Sequence, residues 1–210
     1  MKNTLFLVAI LMFNVQVKPQ NDAYPKGLYM NFQEVVEKSP SQHYDVELEE
    51  RTKGKIKMNG GNDYQLNTIT DNVKKKFLKR DVYAYSDGTD LYINCLKYEL
   101  QLWYSKIEGE NEKYFLFKAG IPMFPKDYGM KNTDISYMFG LIGAFSAAKK
   151  ALIRLPYLLN KESQEVILVS EKNITEVIGS SLELAMEFDK ETEKEDVEVL
   201  SKYLLKWINE

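Results

Sequence analysis

Residues 81–95 read DVYAYSDGTDLYINC. Two runs rich in aromatic and β-branched residues, Val82–Tyr85 and Leu91–Cys95, flank SDGTD, whose Ser, Asp and Gly supply what a tight turn needs. The pattern predicts a β-hairpin. Directly C-terminal, LQLWYSKIEGENEKYFLFKAG repeats the device, with Gly109 expected in the turn. On the other side, KGKIKMNGGNDYQLNTI sets Gly60 and Gly61 between two runs and reads as a third hairpin. YDVELEE alternates Tyr44, Val46 and Leu48 with acidic residues, the pattern of a strand with one wet face. Three successive hairpin signals predict an antiparallel sheet over residues 42–120. An aromatic content of 12%, with Tyr 14 and Phe 10, suits that sheet.

Outside this core the signal changes to mixed structure over residues 121–210. IRLPYLLNKESQEVILVS reads as a further strand pair, with Pro156 at an edge or strand end. Asn173 followed by Glu176 predicts a helix start, with a break at Gly179–Ser181. Thr192 with Glu195 predicts the capping box of a last helix. In that helix Val197, Leu200, Leu204 and Trp207 share a face, a core stripe. Near the start, Asn31 with Glu34 caps a short helix whose Phe32, Val35 and Val36 lie together and which Pro40 ends.

The stretch TDISYMFGLIGAFSAAKKALIR, residues 133–154, is apolar and rich in small residues. Its apolar run covers about 21 Å as a helix, short of the roughly 30 Å of a bilayer core. The spacing of Gly140, Gly143 and Lys149 does not make a phosphate-binding loop. A Gly/Ala-rich helix over 133–151 is expected. Ile135, Met138, Phe139, Ile142 and Phe145 form its bulky face, and Ser136, Gly140, Gly143 and Ala147 its small-residue face. Burial in the core or at a homo-oligomer interface is the first reading. An irregular loop and a membrane-active helix remain open.

The N-terminus carries Lys2, then the apolar run LFLVAILMF, then polar residues. That is the layout of a secretory signal peptide, placed at about residues 1–20, and too short for a bilayer span. A single α+β domain is expected over 21–210, with no transmembrane span once the leader is removed. Export to the periplasm, the cell surface or the medium follows. Loss of Lys2 and Lys18 with the leader lowers the 28 basic residues by two against 31 acidic ones, so nucleic acid is not the expected partner. One cysteine, Cys95, forms no internal disulfide and is expected as a small buried hydrophobe.

Catalytic constellations are sparse. His43 is the sole histidine, so a two-histidine zinc site and the HExxH motif are both ruled out. A Cys95–His43 dyad and a triad built on His43 lack local support, and GSS at Gly179–Ser181 lacks the setting of a nucleophile elbow. Asp87 and Asp90, or Asn62 and Asp63, have oxygens for calcium, but tight turns require the same residues. VKKKFLKR, residues 73–80, reads as a solvated connection, with an anionic headgroup, polysaccharide or acidic partner as the alternative. Trp103 and Tyr104 alternate along a strand, so at most one faces out as a sugar platform. The sequon at Asn173 matters only in a eukaryotic secretory pathway.

The leader, GLYMNFQEVVEKSPS, DGTDLYIN, the Gly/Ala run and the closing helices together resemble uncharacterised secreted proteins of Bacteroidota-type bacteria. That resemblance implies a bacterial envelope protein and carries over no activity and no functional residue. No residue is therefore assigned as catalytic, cofactor-binding or metal-ligating, and no cofactor is expected. The first functional reading is an exported non-enzymatic binding or structural protein with a protein or glycan partner. A carboxylate-based hydrolase of glycans or peptides, and a membrane-associated envelope factor using residues 133–151, are the alternatives.

Overall fold

The computed structural model describes residues 23–71, 73–128 and 147–210. The leader and residues 133–146 of the expected Gly/Ala helix lie outside the described residues. The described chain is α+β, with helices laid on a nine-stranded antiparallel sheet. In chain order the elements are β1 (Gly27–Tyr29), α1 (Phe32–Val36), β2 (Val46–Glu50), α2 (Lys53–Asn59), β3 (Tyr64–Thr68), α3 (Lys75–Arg80), β4 (Ala84–Ser86) and β5 (Leu91–Asn94). They continue with β6 (Tyr104–Glu110), β7 (Tyr114–Ala119), α4 (Ala147–Lys150), β8 (Leu155–Asn160), β9 (Val166–Leu168), α5 (Glu171–Val177), α6 (Leu182–Asp189) and α7 (Val197–Ile208).

The sheet runs β1-β4-β5-β6-β7-β8-β9, with β3 branching from β6 through Tyr64 opposite Tyr104, and β2 paired to β3. β6 is the junction strand: its first half pairs β5 and its second half pairs β7. The hairpins expected at SDGTD, between β6 and β7, and between β8 and β9 are present. Asp87 closes the first turn itself, its Oδ1 accepting from the backbone N–H groups of Thr89 and Asp90 at 2.8 Å.

The hairpin expected at Gly60–Gly61 is a correction. Lys53–Asn59 is helical, so β2 and β3 pair across an inserted helix. Thr52 caps that helix by accepting from the Lys55 N–H, Ile56 turns into the core, and Gly60 ends it at a φ of 64°. Gly109 likewise stands in β6 at a register shift, and Asn111 makes the turn by accepting from Lys113 and Tyr114. The basic run 73–80, expected as a solvated connection, keeps Lys74, Lys75, Lys76 and Arg80 exposed but folds as α3, with Val73 just before the helix and Leu78 within it buried in one cluster. Cys95 opens a 3₁₀ turn, Cys95–Tyr98, one residue beyond β5.

Caps in the C-terminal third also differ from expectation. Ser170 starts α5, with Asn173 at the third position of its capping box, and Asp196 starts α7 by accepting from Glu198 and Val199. The break at Gly179–Ser181 separates α5 from α6 as expected.

Alternation along β7 and β8 sorts the core. Phe115, Phe117, Tyr157 and Leu159 enter one cluster, while Leu116 and Leu158 enter another with Leu200, Tyr203, Leu204 and Ile208 of α7. Each fully buried side chain of this kind contributes roughly 1.5–3 kcal/mol, so the strands are held on both faces. A third cluster gathers Leu66, Leu78, Tyr85, Tyr92 and Tyr104 beneath α3. Among the described residues, no helix is long and apolar enough to cross a membrane.

Candidate functional site

Residues 51–80 carry nine basic and two acidic side chains, whereas residues 171–210 carry five basic and eleven acidic ones. This asymmetry is neutralised only in part by local carboxylates. On the basic side, Lys55 pairs with Glu49, and Arg154 with Asp63 at 2.7 Å. Among the described residues, no carboxylate lies within 4.0 Å of Lys53, Lys57, Lys75, Lys76 or Lys79. On the acidic side, Lys194, Lys202 and Lys206 are each engaged by a carboxylate.

The basic face is organised around Trp103. Its indole, 8% exposed, has the Arg51 Cζ 6.0 Å, the Lys75 Nζ 5.5 Å and the Lys79 Nζ 5.4 Å from the ring centroid. The negative face of an aromatic quadrupole tolerates cations, which explains how three like charges meet there. Tyr104, the next residue, is fully buried with its hydroxyl donating to the Leu78 carbonyl. Both aromatics therefore turn inward, and neither forms an exposed sugar platform.

A polar node fixes this arrangement from below. Asn62 is fully buried, and its Nδ2 donates to the carbonyls of Leu100 at 2.7 Å and Leu102 at 3.1 Å. Its Oδ1 accepts from the Gly120 N–H at 2.7 Å, and its own carbonyl accepts from the Arg51 Nη1 at 2.7 Å. Arg154 grips Asp63 through Nε and Nη2, and also donates to the carbonyls of Gly61, Ala151 and Ile153. Burial, followed by the neighbouring Arg154 charge, pulls the Arg51 guanidinium below its ordinary value. Gly61 is required here: its φ is +85°, and a Cβ would come within 2.8 Å of the Trp103 Cδ1. The non-glycine residues Glu99, Gln101 and Trp103 all carry positive φ, so the loop feeding Trp103 into the node is strained.

A second feature is a groove of about 480 Å³ beside β6, lined by Tyr24, Lys38, Asp90, Glu108, Glu110 and Asn209 among others. Each of its three acids has a lysine within 4.0 Å. Asp90 pairs with Lys106 at 2.6 Å, and Glu110 accepts from the Tyr24 hydroxyl at 2.7 Å and Lys161 at 2.6 Å. Glu108, at the register shift of β6, has Lys118 at 3.8 Å. Burial, reinforced by Glu198, holds its carboxyl above the usual range despite Lys118. Glu108 therefore favours the folded state fully below its unfolded pKa of roughly 4.3, and that contribution is lost as pH rises through the folded value. Glu108→Gln is expected to raise stability at neutral pH by a few tenths of a kcal/mol, screened by solvent, with no gain at acidic pH. Paired urea titrations at the two pH values check this, and an equal gain at both contradicts it.

The remaining sequence candidates are accounted for individually. Asp63 serves Arg154, Asn62 serves the backbone, and Asp87 serves its own turn. Among the described residues, no group of His, Cys, Asp and Glu could hold a metal ion. His43 is exposed while Cys95 is fully buried, its thiol donating to the Ser105 hydroxyl at 3.1 Å and pushed up to about 12 by burial. Ser180 accepts from the Trp207 indole and Ser181 donates to Glu210. The Asn173 amide belongs to its capping box and donates to the Leu168 carbonyl. Of the sequence candidates, the run 73–80 enters the basic face as a source of charge, and Trp103 enters it as a buried ring and not as a platform. Trp103 and Arg51 join it only through long-range packing.

The sequence model of a protein family described as "Family of unknown function (DUF6563)" matches residues 27–210, and the chain belongs to that family. No curated protein and no solved structure matches the chain.

Proposed function

We propose that this chain is an exported, non-enzymatic binding protein of the bacterial envelope that holds an anionic partner on the face formed by α2, α3 and Trp103. The observation that carries the reading is the pair of lysines over Trp103, Lys75 and Lys79, that have no carboxylate within 4.0 Å among the described residues. Clustered like charge, offset only in part by Glu49 and Asp63, is costly in the isolated protein and is relieved when an anion arrives. The acidic C-terminal helices keep the overall charge negative, so attraction is confined to one side. Export rests on the leader. The resemblance to secreted Bacteroidota-type proteins supports the envelope.

Titration of the processed chain with polyphosphate at rising salt tests the binding claim. Saturable binding that weakens with salt is expected, and no binding at low salt removes the reading. Fractionation of the expressing cell tests export. Recovery of an unprocessed chain in the cytosol contradicts it.

A second reading, a carboxylate-based hydrolase of glycans or peptides, draws on the groove, where burial holds the Glu108 carboxyl above the usual range. It requires turnover of a glycan or peptide panel that Glu108→Gln abolishes. Inactivity across that panel removes it.

A further inference from the structure

Helix α2 reads KGKIKMN. Ile56 is its buried residue, and Lys53, Lys55 and Lys57 are exposed. Met58 stands among these lysines with 84% of its surface exposed, the most exposed of the large apolar side chains described. The Thr52 cap and Gly60 fix the two ends of the helix, so Met58 is presented from an ordered turn. Lys75 and Lys76 extend the exposed positive charge onto α3.

We infer that α2 and α3 dock this protein on an anionic bilayer leaflet, with Met58 entering the boundary between headgroups and acyl chains and the lysines meeting lipid phosphates. The inference rests on the anionic-partner reading above and names the partner's source. Lysines alone fit any polyanion, soluble or lipid. An exposed thioether on a lysine-rich helix fits a surface that is anionic outside and apolar immediately beneath. A soluble polyphosphate gives Met58 nothing. The acid-rich helices α5 to α7 are repelled by such a leaflet, so the charge asymmetry also sets the orientation, with α2 and α3 facing the lipid.

The test is co-sedimentation of the processed chain with phosphatidylcholine vesicles, with and without phosphatidylglycerol, alongside binding to soluble polyphosphate. Each lysine near an anionic leaflet contributes on the order of fivefold in partitioning. Lys75→Gln with Lys79→Gln is therefore expected to weaken phosphatidylglycerol binding at least tenfold (the direct electrostatic effect of two lysines being roughly 25-fold), and to weaken polyphosphate binding too. Met58→Ser is expected to weaken vesicle binding about tenfold and to leave polyphosphate binding unchanged. Its side chain is too exposed for the change to disturb folding. Polyphosphate binding without phosphatidylglycerol binding overturns the bilayer inference and leaves the anionic-partner reading standing, as does vesicle binding indifferent to Met58→Ser. Binding to neither probe overturns both.

Discussion

Asn62→Leu is expected to lower the stability of the chain by about 3 kcal/mol, because a leucine keeps the branching and heavy-atom count of the side chain and removes every polar contact the amide makes. The Leu100 carbonyl and the Gly120 N–H lose their partners inside the protein, where water does not replace them. The Leu102 carbonyl keeps the backbone N–H of residue 62 at 2.8 Å and is affected least. A buried donor or acceptor left unsatisfied costs about 1–3 kcal/mol, and two such groups set the total. Urea unfolding measures it as a lower midpoint with an unchanged slope. A loss below about 1 kcal/mol shows that the node relaxes around the substitution and does not hold the sheet junction.

Arg154→Met is expected to cost about 2 kcal/mol, less than the roughly 3–5 kcal/mol of breaking a fully buried pair. Asp63 is 36% exposed, so solvent takes over part of the lost interaction. The carbonyls of Ala151, Ile153 and Gly61 lose a donor as well. One effect runs the other way: removing Arg154 relieves its repulsion of Arg51. Because Arg154 and Asn62 hold the same Gly61–Asp63 segment, the double variant is expected to lose less than the two single losses together, by about 1 kcal/mol. Strict additivity in the urea midpoints contradicts a shared node.

The way the fold emerged from the sequence shows which signals travel. The segments around SDGTD, ENEK and KESQ are hairpins because turn chemistry and flanking period-two runs agree. KGKIKM fails for a physical reason. With apolar residues only at Ile56 and Met58, its alternation fits a strand and a short helix equally, and the Thr52 cap decides for the helix. In VKKKFLKR the high charge masks a hydrophobic pair that brackets the helix start, Val73 before the cap and Leu78 in the first turn, both buried in one cluster. Thr192 and Asn173 were plausible caps beaten by Asp196 and Ser170, each within a few residues.

The basic face was half legible. The lysines of 74–79 are plain in the sequence, and an anionic partner is among their readings. What local pattern does not contain is Trp103 arriving from beyond β5, Arg51 arriving from the end of β2, and Lys75 and Lys79 with no described carboxylate within 4.0 Å. Those depend on the junction that Asn62 and Arg154 build. The Asn62–Asp63 pair was visible as a turn with spare oxygens, whereas its role is to spend those oxygens on the chain itself.

Localised recognition is tested most directly by the salt concentration that elutes the processed chain from immobilised polyphosphate, compared between two variants of equal net charge. One carries Lys53→Gln, Lys57→Gln, Lys75→Gln and Lys79→Gln. The other carries Lys26→Gln, Lys97→Gln, Lys113→Gln and Lys190→Gln. A binding face at α2, α3 and Trp103 predicts that the first variant elutes at clearly lower salt and that the second stays near the unsubstituted chain. Equal elution of the two variants contradicts it.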